Sequence, residues 1–187
     1  NCYSTGAISG ESAGGIFGRR ANWWWLPGTG TRTVGTGTIT VENCSSSGEI
    51  SGQYAGGIFG LFAGSDGSKS ITVTNCKSVG LIAGENAGGI FGANANDNSK
   101  IGSAITVTNC YSSGIVLGTY SGGIIGQNAN YYSKGTITVT NCYSAGPIYG
   151  SGAEGIISVD GGVPTHRFPT TIGCYSANGD WSDDNAE

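Results

Sequence analysis

Ile71-Thr72-Val73-Thr74-Asn75-Cys76 recurs letter for letter at 105–110 and 137–142, with a near copy in Ile39-Thr40-Val41-Glu42-Asn43-Cys44. Each copy runs into a short Ser/Gly stretch and then, in all but the last, a Gly-Gly phrase. Repetition at such a period is the mark of stacked units, each too small to bury its own apolar face.

The cysteines fix the phase. Cys2, Cys44, Cys76, Cys110, Cys142 and Cys174 are separated by 42, 32, 34, 32 and 32 residues. The pairs beginning at Gly14, Gly56, Gly88 and Gly122 each follow their cysteine by 12 residues, and Glu154-Gly155 takes that place in the fifth copy. All variation in length falls between Gly-Gly and the next cysteine. That is the behaviour of a fixed coil with a variable loop at one corner.

Gly makes up 36 of 187 residues and the repeated runs are Ile, Val and Thr, which suits strands and opposes helices. In Ile71-Thr72-Val73-Thr74 the alternation has period two, apolar on one face and Thr on the other. The spacing predicts an all-β, right-handed parallel β-solenoid of about five coils. Three short strands are expected per coil: Ile-Thr-Val-Thr, a run such as Gly80-Leu81-Ile82-Ala83, and Gly-Gly-Ile-Phe-Gly. Ile71, Val73, Ile105, Val107, Ile137 and Val139 are expected to form inward columns, and Ile16, Ile58, Ile90 and Ile124 another. Five coils span roughly 24 Å. Residues 1–187 read as one domain, with a Trp-containing insertion at 19–37, an irregular insertion at 159–171 and an acidic tail at 179–187. The chain opens in mid-repeat at Asn1-Cys2-Tyr3-Ser4, which fits a piece of a longer chain or a filament subunit with an open end.

The outward positions are the candidate sites. Thr40, Thr72, Thr106 and Thr138 share one outward column; Thr74, Thr108 and Thr140 share a second, which Glu42 interrupts. Threonine rows are ordinary in strands; a regular hydroxyl and methyl lattice is also a candidate ice-facing surface. Tyr111 and Tyr143 directly follow their cysteines, and exposed aromatics suit protein or glycan contact. Trp23-Trp24-Trp25 cannot all enter a narrow core, so they cap a coil or meet a partner; Trp181 in the tail is a further candidate contact. The six cysteines form a structural column, with free thiols and inter-coil disulfides both compatible with the coil rise.

Other classes find little support. With Lys+Arg 8 and Asp+Glu 12, the formal charge is −4, and no basic cluster tracks a phosphate backbone, so no nucleic-acid partner is expected. No apolar run is long enough for a membrane span. The single histidine, His166, sits in the irregular insertion, and the acids Glu11, Glu49, Asp66, Glu85 and Asp97 form no convergent pair by register, as glycosidic chemistry would need. No enzyme, cofactor or metal is expected. Scarce charge with abundant Gly, Ser, Thr and Asn suggests an extracellular or cell-surface location.

Asn1-Cys2-Tyr3-Ser4-Thr5-Gly6-Ala7-Ile8-Ser9-Gly10, followed by Ala13-Gly14-Gly15-Ile16-Phe17-Gly18, resembles the GLUG repeat family, as do 109–126 and 141–155. The resemblance covers nearly the whole chain except the Trp loop, the Pro-rich insertion and the acidic tail. The family's usual Leu-Val after Gly-Gly is Ile-Phe or Ile-Ile here. Such repeats occur in large secreted or surface-anchored microbial proteins, including adhesins and some surface peptidases. The resemblance implies a stalk or display element: a non-enzymatic structural or adhesive protein whose partners are further copies, other surface proteins or glycans. An ice-binding protein and a carbohydrate-binding module are the alternatives.

Overall fold

A computed structural model describes residues 1–21, 37–66, 70–158 and 169–177, together with the backbone of 23–25 and 32–34. Its strands are, in chain order, β1 (Tyr3–Ser4), β2 (Trp23–Trp25), β3 (Arg32–Val34), β4 (Thr38–Glu42), β5 (Ser45–Ser46), β6 (Ser70–Thr74), β7 (Lys77–Ser78), β8 (Ala104–Thr108), β9 (Tyr111–Ser112), β10 (Thr136–Thr140), β11 (Tyr143–Ser144), β12 (Thr170–Ile172) and β13 (Tyr175–Ser176). They make a parallel β-solenoid. The Ile-Thr-Val-Thr strands form a five-stranded sheet ordered β12-β10-β8-β6-β4, and the two-residue strands after each cysteine form a six-stranded sheet ordered β1-β5-β7-β9-β11-β13. No described helix is long and apolar enough to cross a membrane.

Every pairing is in register. Ile39, Ile71, Ile105 and Ile137 are successive partners, as are Val41, Val73, Val107 and Val139. The alternation expected from the sequence is present in β6 and β8, where inward Ile and Val are buried and outward Ser, Ala and Thr are half-buried. Stacking turns one apolar pair per coil into a continuous core, which Ile58, Ile90 and Ile124 join from the opposite wall. A smaller cluster of Ile8, Ile50, Ile82 and Val116 fills the neighbouring corner.

The remaining sides of the coil are more finely broken than the three-strand expectation. The second and third runs reduce to single bridges, Ile50↔Ile82↔Val116, Gly56↔Gly88↔Gly122 and Phe59↔Phe91↔Ile125. The cause is a left-handed residue between them in every coil: Ser12, Tyr54, Asn86 and Tyr120, with φ of 51 to 65°, then Gly152 at 65°. A second left-handed column, Asn43, Asn75, Asn109 and Asn141, turns the chain just before each cysteine, and Gly173 takes that place in the last rung. Asn tolerates this region because its short polar side chain bonds locally. Thr170–Ile172, at the end of the expected irregular insertion, is a strand paired with β10.

The variable corner is itself ordered. Positive φ recurs at every second residue, at Phe62, Gly64 and Asp66, then Asn94, Asn96 and Asn98, then Asn128, Asn130 and Tyr132. Alternation turns successive N–H groups to opposite neighbours. Asn94 N–H donates to Gln127 O at 2.8 Å in one direction, and Asn96 N–H to Ala63 O at 2.8 Å in the other. Ala63, Ala95 and Ala129, lying between, reach the core. A buried polar cluster pins the loop beyond: Asn96 Nδ2 donates to Asn130 Oδ1 at 2.8 Å and Ser103 Oγ to Asn96 Oδ1 at 2.6 Å.

One buried column lacks partners. Ser46, Ser78, Ser112, Ser144 and Ser176 point inward, and their hydroxyls make no hydrogen bond among the described residues. They face the second glycine of each Gly-Gly pair: a Cβ built on Gly89 would lie 3.0 Å from Ser112 Oγ and 2.1 Å from Gly123 O. A small residue is required here, but its hydroxyl gains nothing. Ser112→Ala should therefore raise stability by about 1 kcal/mol by removing an unpaid desolvation cost. Urea unfolding reads this directly, and a lower midpoint would mean that the hydroxyl has a partner.

Candidate functional site: the outward rows of the coil

In-register stacking converts each outward residue into a row. Thr40, Thr72, Thr106, Thr138 and Thr170 are consecutive partners across all five strands of the long sheet. A second row is Glu42, Thr74, Thr108, Thr140 and Ile172, and a third is Thr38, Ser70, Ala104 and Thr136. Rungs are about 4.8 Å apart, and rows two residues apart along a strand are about 6.6 Å apart. Thr40 is exposed; the other threonines of the first two rows from β6, β8 and β10 are half-buried, shielded by identical neighbours. Thr170 extends the first row by one rung beyond the sequence-based candidates. Carboxylate and isoleucine interrupt the second row at its ends.

The second surface is aromatic. Tyr3, Ser45, Lys77, Tyr111, Tyr143 and Tyr175 are successive partners in the six-stranded sheet. Tyr111 and Tyr143 stack with ring centroids 5.6 Å apart and planes 10° apart; Tyr143 and Tyr175 stack at 5.2 Å and 9°. Stacking has a chemical consequence. The ring faces are turned to one another, so the row presents ring edges and phenolic hydroxyls outward. A sugar stacks on an open aromatic face, and both faces of Tyr143 are already taken. This geometry suits protein contact better than a sugar platform.

The tryptophan insertion contains regular structure. Trp23, Trp24 and Trp25 form β2, antiparallel to β3, with Trp23 opposite Val34 and Trp25 opposite Arg32. Trp181 and His166 lie outside the described residues.

The cysteines occupy a single inward ladder and are all free thiols. Cys44 N–H donates to Cys76 Sγ at 3.4 Å, and Cys110 N–H to Cys142 Sγ at 3.4 Å. From Cys44 onward each thiol also reaches back to the carbonyl two residues earlier, as Cys110 does to Thr108 O at 3.4 Å. Donation to Cys142 and to Cys76, reinforced by burial, pushes the Cys110 thiol up; donation to Cys142 and burial do the same for Cys174. Burial raises Cys44. The ladder thus works as packing, with each thiol serving its neighbours' backbone.

Among acids, burial pushes Asp97 up to about 6. It stands in the alternating corner, where Asp66 N–H donates to its carbonyl at 3.1 Å. Glu85 accepts from Gln53 Nε2 at 3.2 Å along an exposed edge. Among the described residues, no three His, Cys, Asp or Glu side chains gather to hold a metal ion.

No family model, no curated protein and no solved structure matches the chain. The parallel solenoid agrees with an adhesin-like repeat architecture, and the GLUG likeness rests on the repeat phrase alone.

Sequence reading missed two features of these surfaces. One is the face-to-face use of the tyrosines, which the shared phase after each cysteine could have signalled. The other is the ordered corner, whose signal is the alternation in Asn94-Ala95-Asn96 and Asn128-Ala129-Asn130.

Proposed function

We propose that this chain is a non-enzymatic, extracellular structural element with an adhesive surface. The observation that carries the reading is the in-register repetition of outward chemistry: threonine recurs on every rung from Thr40 to Thr170, and tyrosine on the three rungs from Tyr111 to Tyr175. Repeated coils multiply weak identical contacts, and multivalency of that kind gives binding without a single specialised pocket. The sparse charge and the repeat phrase's likeness to secreted and surface-anchored proteins support the location. Protein contact through the Tyr111-Tyr143-Tyr175 row is the adhesive mode favoured by the ring stacking. The triple variant Tyr111→Ser, Tyr143→Ser, Tyr175→Ser should lose at least about tenfold in adhesion to a protein-coated surface while keeping its circular dichroism spectrum. Undiminished adhesion in the folded variant would remove the tyrosine row from the account.

A second reading, ice binding, is favoured by one observation, the five-membered Thr40-to-Thr170 row on a regular sheet. The chain would then partition into slowly growing ice. Thr72→Lys, Thr106→Lys, Thr138→Lys together would abolish that partition, since long charged side chains break the lattice. Equal partition of variant and parent, or none in either, excludes ice as the target.

A further inference from the structure

The second run of each coil changes character along the stack. In the first two coils its outward pairs are Ala7 and Ser9, then Glu49 and Ser51, all exposed. In the next three the corresponding pairs are Leu81 and Ala83, Ile115 and Leu117, Pro147 and Tyr149. The backbone sets these six side by side. Ile82 N–H donates to Ile115 O and Val116 N–H to Pro147 O, both at 2.9 Å; Leu117 N–H returns to Ile82 O and Tyr149 N–H to Val116 O, both at 2.8 Å. Ile82 and Val116 are fully buried, and Ile148 packs against the same cluster. Parity therefore turns the residues on either side of them outward.

Among the described residues Ile115 is 42% exposed, Leu117 47% and Tyr149 72%. Pro147 is exposed as well, and Leu81 and Ala83 are half-buried. The fold does not demand apolar residues here, because Glu49, Ser51 and Ser9 hold the same positions in the first two coils. Together the six present roughly 500 Å² of uncharged surface, a size at which an apolar patch marks an interaction site. Covered by an equal patch, it would bury roughly 1,000 Å² in total, the lower limit of a specific interface. That area suits a reversible contact and not a permanent one.

We infer that this face pairs with the same face of a second copy of this chain, the two coil stacks antiparallel and the Ile115–Leu117 rung on the two-fold axis. An isologous contact sets each residue on the axis against its own counterpart, which an uncharged rung permits. The rungs on either side cross over. Ala83 then faces Tyr149 of the second copy, small against large, and Leu81 faces Pro147. Stacks running the same way would instead set Glu49 against Glu49 of the second copy, and like charges face to face are costly. The contact closes as a pair. It goes beyond the adhesive reading and does not depend on the tyrosine row.

Sedimentation equilibrium over a concentration series reads the pairing. The parent chain should be a monomer–dimer mixture with Kd on the order of 10–100 μM. Leu117→Asp brings two carboxylates together on the axis, and should weaken association by about tenfold or more with an unchanged circular dichroism spectrum. The crossover gives a second readout. Ala83→Glu and Tyr149→Lys should each weaken association severalfold. The double variant Ala83→Glu, Tyr149→Lys should regain most of that loss, because the introduced carboxylate meets the introduced ammonium at both crossed contacts. A parent chain still monomeric at about 1 mM, a Leu117→Asp chain that pairs as the parent does, or a double variant no better than the weaker single one overturns the proposal. So does pairing that appears only after residues 178–187 are removed, since the chain's own tail is then the occupant.

Discussion

Gly88→Ala is expected to abolish the fold, with a loss above about 4 kcal/mol against a total stability of 5–15 kcal/mol typical of domains. A Cβ at Gly88 would lie 1.9 Å from Phe91 O in its own turn and 2.5 Å from Gly126 N in the next coil. Both obstacles are backbone, so no side chain can swing aside. Moving the turn would break Gly88 N–H to Ala55 O, 3.0 Å, and Gly89 N–H to Gly122 O, 3.2 Å, and so disturb the coils on both sides. Gly122→Ala should be comparably damaging, because its Cβ would lie 1.8 Å from Ile125 O of its own turn, although the nearest atom of the following coil, Ser158 N, is 3.1 Å away. Glu154 sits at the same phase as these glycines and is bridged to Gly122. Soluble yield and circular dichroism decide the point: a Gly88→Ala chain that folds within about 1 kcal/mol of the parent would show that the turn is looser than these distances.

Phe91→Ala should cost about 3–5 kcal/mol, the range for deleting a buried aromatic. Phe91 is completely buried and its ring lies 4.7 Å from that of Phe59 with planes 5° apart; Phe59 in turn stacks on Phe17 at 4.8 Å. Neighbouring rungs are fixed by the backbone ladder, so the wall cannot collapse into the void. Phe17→Ala, at the partly buried end of the same column, should cost less than half as much. Urea titration separates the cases. Equal losses at both positions would mean that the aromatic column is not the continuous element described here. An unchanged denaturant slope in Phe91→Ala would show that the coils still unfold as one unit.

The long sheet was legible because its signal is local and redundant. Ile71-Thr72-Val73-Thr74 specifies strand, inward face and outward face by parity alone, and the constant distance from cysteine to Gly-Gly aligns the copies. The glycine pairs announced a constraint whose nature appears only when the next coil is in place: the obstacle to a side chain at Gly89 is Gly123 O, 34 residues along the chain. The shorter sides were less legible for a related reason. Single bridges such as Ile82↔Val116 carry no periodicity of their own, and their segmentation comes from left-handed corners at Tyr54, Asn86 and Tyr120, where tyrosine gives no hint of positive φ. The ordered corner looked like a loop because alternating hand is not a hydrophobic period. The outward rows were read correctly as columns, but the tyrosine rings' use of their faces on one another is a packing property that a one-dimensional reading does not carry.

The most direct test of the account is a set of methyl–methyl contacts by NMR on Ile- and Val-labelled chain. In-register parallel stacking predicts strong contacts Val41–Val73, Val73–Val107 and Val107–Val139, matching contacts along Ile39, Ile71, Ile105 and Ile137, and none between Val73 and Val139. Contacts pairing Ile71 with Val107, or an absence of contacts between successive repeats, would contradict the solenoid and with it the rows on which the proposed function depends.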